Sequence, residues 1–449
     1  MKQINIFDFL IESMSDTIDT IIDTRKQRTN LKYSLDDIVL SAFSVFYFQN
    51  KSWLSFQRGA QTSKGLSNAQ TMFGIKDIPS DNHIRKILDT ITPKCFKMIY
   101  EKILLKIKSL GVLKKFTFLQ EYLLIAIDGT YYHSSKNISC KCCQKRVDKE
   151  TGEIHYFHSV ITPTIVHPNH KKVIPLMQEF IDNNDGMNKQ DCEINGSKRW
   201  IDNFDNQTDK RLIILGDDLY SKEPMVQKVL DKDHSYIFVA KPTSHKYLYE
   251  QIEMIRNLGT LETIKQEKIV QGKKQISTYY YINSLLMTAP LGKKAIQPLT
   301  TNWCEVIVTN LSGKKLYHNS FITNIPLHAN NVIDIAVAGR TRWKIENENN
   351  NTLKTKGYNL EHNFGHGQNN LSQTLCSLNI LAFLFHTVQE LEDELYQELT
   401  KEIGSREKFF GGINLLTTMF NFKSFNHMIE FILRSRRSNE NIEMEPYVM

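Results

Sequence analysis

Two short runs, "LLIAID" (123–128) and "LIILGD" (212–217), constrain the fold more than any other part of the chain, because each is a stretch of aliphatic residues that stops at a carboxylate. A short apolar run closed by a turn signal reads as a strand buried on both faces. The second run ends in two adjacent acids, Asp217 and Asp218. Side chains alternate along a strand, so no more than one of the two faces a given site. Taken alone, such a pair suits the cap of the helix that follows. If the two runs are neighbours in one sheet, however, Asp128 and Asp217 meet at its edge. Carboxylates held together are costly unless a cation neutralises them, so that meeting implies a hard divalent metal.

The surrounding pattern supplies a setting for such a sheet. Residues 1–116 read as helical and form a candidate DNA-binding domain: Ser34 and Asp37 resemble a capping box before "DDIVLSAFSVFYF", and Ser80 caps a short helix that Pro93 stops. On that short helix Ile84, Ile87 and Leu88 share one face, which leaves Arg85 and Lys86 for solvent or DNA. From 117 to 244 strands alternate with helices, as in an α/β layer. Residues 245–330 return to β-rich segments such as "QISTYYYI" and "CEVIVTN", an insertion that interrupts the α/β core. The core resumes over 331–390, and 391–449 is a helical C-terminal segment.

Composition narrows the class without naming a function. The 449 residues carry a net charge of +7, which suits a polyanionic partner. Asp8 and Glu12 break up the first apolar stretch, so no export signal is expected. "LNILAFLFHTV", from Leu378, is too short to span a bilayer and reads as a buried helix. Seven cysteines, an odd number, do not resemble a secreted disulfide framework, and a reducing cytoplasm is expected.

A third acid is sought in "GRTRWKIENENNNTLK" (339–354). Arg342 and Glu346 lie four apart and on a helix share a face with Asn350, with Lys354 nearby. Together, "IAIDGT", "GDDLYS" and "RTRWKIEN" resemble the three motifs of bacterial insertion-sequence DDE transposases of the IS4-like branch. In those motifs a tyrosine follows the second aspartate by three, and an arginine precedes the glutamate by four. The resemblance covers about 117–390 and includes the β-rich insertion. It departs in two places: Gly339 stands where that branch often has tyrosine, and Leu353 stands where it has lysine, with Lys354 one later.

What the resemblance implies is a ribonuclease-H-like catalytic core and a DNA transposase. Asp128, Asp217 and Glu346 would hold two Mg2+ ions, with Mn2+ as a substitute, for cleavage of transposon inverted-repeat ends and their joining to target DNA. Arg342 and Lys354 would contact DNA, and a homodimer on double-stranded DNA is implied. The competing readings are a catalytically inactive transposase-derived DNA-binding protein and a ribonuclease-H-like metal nuclease.

Cys140, Cys142 and Cys143, with His133, His155 and His158 nearby, are candidate structural zinc ligands, although C-x-C-C is not a common zinc spacing. "KQDCE" (189–193) offers a further acid that could approach the site, although a helix N-terminal role suits it better. Gly365 and Gly367 suggest a structural turn around His366. Trp343 is expected in the core.

Overall fold

The computed structural model describes residues 5–25, 31–183, 190–289 and 299–437; Lys189 of "KQDCE" lies outside them. Fourteen strands are present among the described residues. The first eight are β1 (Thr117–Phe118), β2 (Tyr122–Ala126), β3 (Gly129–Ser135), β4 (Gln144–Val147), β5 (Ile154–Ile161), β6 (Thr164–Val166), β7 (Ile174–Pro175) and β8 (Glu179–Ile181). The remaining six are β9 (Arg211–Gly216), β10 (Ser235–Val239), β11 (Glu262–Val270), β12 (Lys273–Leu286), β13 (Thr300–Asn310) and β14 (Lys315–Thr323).

Ten strands form one mixed sheet in the order β11-β12-β13-β14-β10-β9-β2-β6-β7, with β1 added beside β2. The two apolar runs are its centre: β9 pairs in parallel with both β2 and β10, and every other pairing is antiparallel. All five residues of β2 and of β10 are buried, as a strand covered on both faces requires. The 245–330 stretch contributes helix Lys246–Asn257 and the meander β11–β14, and β14 joins that meander to β10 in the same sheet. Its outer strand β11 is largely exposed and carries Glu262, Lys265, Glu267 and Lys268, charges that discourage pairing with another chain. A second sheet, β3-β5-β4 with β8 on β5, rises directly from the end of β2. The turn at "TGE" closes its β4–β5 hairpin, with Gly152 at φ 71°.

Helices lie on the faces and at both ends of the chain. Glu193–Asn203 precedes β9, Glu223–Leu230 links β9 to β10, and Val332–Thr341 follows β14. The expected caps form: Ser34 Oγ accepts from Asp37 N–H at 3.0 Å while Asp37 accepts from Ser34 N–H at 3.1 Å, and Ser80 caps Asp81–Leu88. Ile84, Ile87 and Leu88 are buried.

The segment 1–116 shares its core with the C-terminal helices instead of closing one of its own. Helix Leu35–Tyr47 lies against helix Leu371–Glu392, where Tyr47 donates to Gln389 Oε1 at 2.6 Å. Trp53 Nε1 donates to Phe364 O at 2.6 Å, and the rings of Phe7 and Phe425 stack at 4.3 Å. The run "LNILAFLFHTV" belongs to this 22-residue helix, which by length and composition could cross a membrane; it is buried inside the bundle.

Candidate functional site

The strand register sets the first two acids side by side. Ala126 pairs with Leu215, and Ile127 N–H donates to Leu215 O at 2.9 Å. Asp128 and Asp217 each follow their paired residue by two, so they end adjacent parallel strands at one level and on one face. Asp217 Oδ1 accepts from Leu219 N–H at 2.8 Å, which turns the chain out of the strand. Asp218 points elsewhere: it accepts from Lys241 N–H at 2.7 Å and from the Ser244 hydroxyl. The helix-capping role that suits this pair is therefore not what Asp218 does. It fastens the turn after β10, with His245 Nε2 4.0 Å away.

Asp128 is the electrostatic focus. Burial, followed by the negative charges of Glu193, Glu346 and Asp217, raises its carboxyl to about 7, against the opposing pull of Arg342. Asn350 Nδ2 donates to Asp128 Oδ2 at 3.3 Å and is itself held by Thr162 Oγ1 at 2.8 Å. Glu193, the first residue of its helix, takes the N-terminal place expected of an acid there and also reaches the site. Its Oε1 accepts from Gly129 N–H at 3.2 Å and from the buried Tyr220 hydroxyl at 2.7 Å. A Cβ at Gly129 would come within 2.7 Å of Glu193 Oε2, so the glycine after Asp128 makes this approach feasible. Tyr220, three residues after Asp217, thus ties the second motif to Glu193.

The third motif is not a regular α-helix. After Val332–Thr341 the chain continues into a π-helical segment, Ile345–Asn350, and then a short α-helical turn, Asn351–Thr355. Such widened turns are rare and concentrate at functional sites. Arg342 Nη1 and Glu346 Oε1 are 2.7 Å apart, with the Glu346 side chain half exposed. The widened turn brings Asn350 to Asp128. Lys354 instead pairs with Glu361 at 2.8 Å. Gly339 has a packing reason, because a Cβ there would lie 2.6 Å from the Phe321 ring and 3.0 Å from Ile237. No tyrosine fits at that position. Trp343, expected in the core, is instead 41 % exposed beside Arg342. Lys344 is buried and donates to the carbonyls of His167, Pro168 and His170 at 2.6, 3.0 and 2.5 Å.

Three carboxylates around Asp128, opposed by one guanidinium, make an oxygen-rich donor set that a hard divalent cation would relieve. Among the described residues, though, the one group of three or more metal-binding side chains gathered within 4.8 Å lies elsewhere, at Cys140, Cys143, His158 and His366. That group could hold a metal, and it corrects the expected zinc set in two ways. Cys142 is not part of it, since its thiol donates to Asn369 O at 3.3 Å. His366 is part of it and does more than shape a glycine turn. His155 lies apart, near Glu153, whereas the His133 ring lies 4.3 Å from that of His366, tilted by 42°, without joining the set.

Arg85 and Lys86 line an open groove with Asn137–Ser139 and Gly365–Gln368. Arg85 also reaches Asp81 at 3.4 Å, and its guanidinium lies 5.9 Å from the Trp53 ring. No protein-family model matches the chain, and no curated protein sequence does either.

Proposed function

We propose that the chain is a DNA transposase that cuts and joins transposon ends through a ribonuclease-H-like, metal-dependent site formed by Asp128, Asp217 and Glu346. The observation that carries this reading is the register-matched pair Asp128 and Asp217 at the ends of parallel neighbours, with Asp128 raised to about 7 by burial and surrounding acids. Acids that raise a partly buried carboxyl in this way suit metal-assisted chemistry better than an ordinary ion pair. Two magnesium ions, when bound, would stabilise the attacking and leaving oxygens of an in-line phosphoryl displacement. In this reading Asp128, Asp217 and Glu346 would hold the ions. Asn350 orients Asp128 through its amide, and the Tyr220–Glu193–Gly129 linkage fixes the start of β3 behind it. Arg342, now paired with Glu346 and next to exposed Trp343, would meet a phosphate oxygen when DNA binds.

One observation favours a second reading, DNA binding without cleavage: Glu346 is engaged by Arg342 at 2.7 Å. Linear DNA carrying the sequence that flanks the gene, incubated with the full chain in magnesium, manganese or chelator, separates the alternatives. The proposal expects metal-dependent free 3′ ends and joined products. Nicking without joining would favour a plain nuclease, and retained binding with no cutting would favour the second reading.

A further inference from the structure

The Cys/His cluster stands outside the acidic site, and its geometry is that of a filled coordination shell. Cys140 Sγ and Cys143 Sγ are 3.8 Å apart. His158 Nε2 lies 3.3 Å from each sulfur, and His366 Nε2 lies 3.3 Å from Cys143 Sγ. A tetrahedron with Zn–S of about 2.3 Å and Zn–N of about 2.0–2.1 Å has S···S edges of about 3.8 Å and S···N edges of about 3.6 Å. Four of the six edges therefore lie within about 0.3 Å of the tetrahedral values, and all four donors lie within 4.8 Å of one another.

We propose that Cys140, Cys143, His158 and His366 bind one structural zinc ion. Two thiolates and two imidazoles, with no carboxylate, select zinc over magnesium or calcium. All four positions come from the protein, so no site remains open for a reacting water. Cys143, His158 and His366 are buried, and without an ion their polar atoms have little but each other to satisfy them. Nδ1 of both histidines also lacks a protein partner, so besides ring packing against Tyr132 and His133 their polar contacts are those of the cluster.

The loop geometry agrees. Cys140 and Cys143 are a C-x2-C pair, a spacing that Cys142 disguises in the sequence. Their turn closes with Cys143 N–H donating to Cys140 O at 3.3 Å, and Cys140 N–H donates to Cys143 Sγ at 3.4 Å, an amide aimed at the sulfur that would carry the charge. Lys141 N–H donates to Gln368 O at 3.3 Å, so the same loop is already fastened to the one bearing His366.

The ion would join segments that are far apart in sequence. The cysteines follow β3, the strand that leaves Asp128; His158 lies on β5; and His366 lies in the loop between the Glu346 helix and Leu371–Glu392. Zinc would thus clip the hairpin beside Asp128 to the chain that leaves Glu346, and one of its ligands, His366, lines the groove that holds Arg85 and Lys86. This assignment does not depend on DNA cleavage.

Metal analysis of the full-length protein, purified without chelator, tests it. About one zinc per chain is expected. Stripped protein should take up Co2+ with the strong visible absorption of a tetrahedral site and a sulfur-to-cobalt charge-transfer band. Cys143→Ser should lose the metal, Cys142→Ser should keep it, and His366→Cys should keep it with a stronger charge-transfer band. Wild-type protein that contains no zinc and takes up neither Zn2+ nor Co2+ would overturn the proposal without recourse to any variant. So would iron in place of zinc, equal metal loss in the Cys142 and Cys143 variants, or an unchanged band in His366→Cys.

Discussion

Asp128 has three carboxylates and one guanidinium among the charges that act on it, and it is mostly screened from water. Its folded-state value, about 7, lies above the 3.8 of a free aspartate, so the folded protein favours the protonated form. The resulting stabilisation is full below about pH 4 and is lost as pH rises to about 7. Metal-free protein should therefore melt a few degrees lower at neutral than at mildly acidic pH. Asp128→Asn should remove that part of the slope, and saturating magnesium should offset it, because a bound cation restores the ionised carboxylate. Calorimetry of the two proteins across this range checks the sign; identical slopes would show that Asp128 is not the group responsible. At this scale Asp128, Asp217, Arg342 and Glu346 could be nominated from the sequence, since each sits in a short local pattern. The acid of "KQDCE" and His366 could be picked out, but what they meet could not. The first reaches the site only because Gly129 has no side chain, and the second meets Cys143 across 223 positions.

Elements were legible wherever their signals are local. The Ser34 and Ser80 caps and the buried central strands follow from side-chain chemistry within a few residues. The π-helical turn at Ile345–Asn350 was not legible, because a polar run such as "ENENNN" has no periodicity that separates it from an α-helix. Gly339 shows what tertiary contact adds. It lets helix Val332–Thr341 press against Phe321 and Ile237, so Gly339→Ala should cost about 1–3 kcal/mol through overpacking, even though alanine favours helices. Gly411, in helix Arg406–Met419, has open space around its would-be Cβ. Gly411→Ala should be neutral or stabilising by up to about 1 kcal/mol. Urea unfolding of both variants distinguishes packing from propensity, and equal effects would remove the packing explanation for Gly339.

At the scale of the whole molecule, helices from the two halves of the sequence pack against each other. Residues 1–116 look self-contained when read in order, because helix patterns do not reveal which distant helix covers them. In the fold, helix Leu35–Tyr47 is covered by Leu371–Glu392, so contact by Arg85 and Lys86 with DNA has to be measured in the complete protein. The same long-range closure brings the three acidic motifs toward one sheet edge, and there a single comparison bears most directly on the proposed chemistry. Magnesium-dependent cleavage of the gene's flanking DNA should stop in Asp217→Asn, whose carboxylate shares its strand end with Asp128. Asp218→Asn, whose side chain fastens Lys241 and Ser244 on the other side, should keep most of the activity in folded protein. Loss of cleavage in Asp218→Asn with activity retained in Asp217→Asn would contradict the assignment of the metal site.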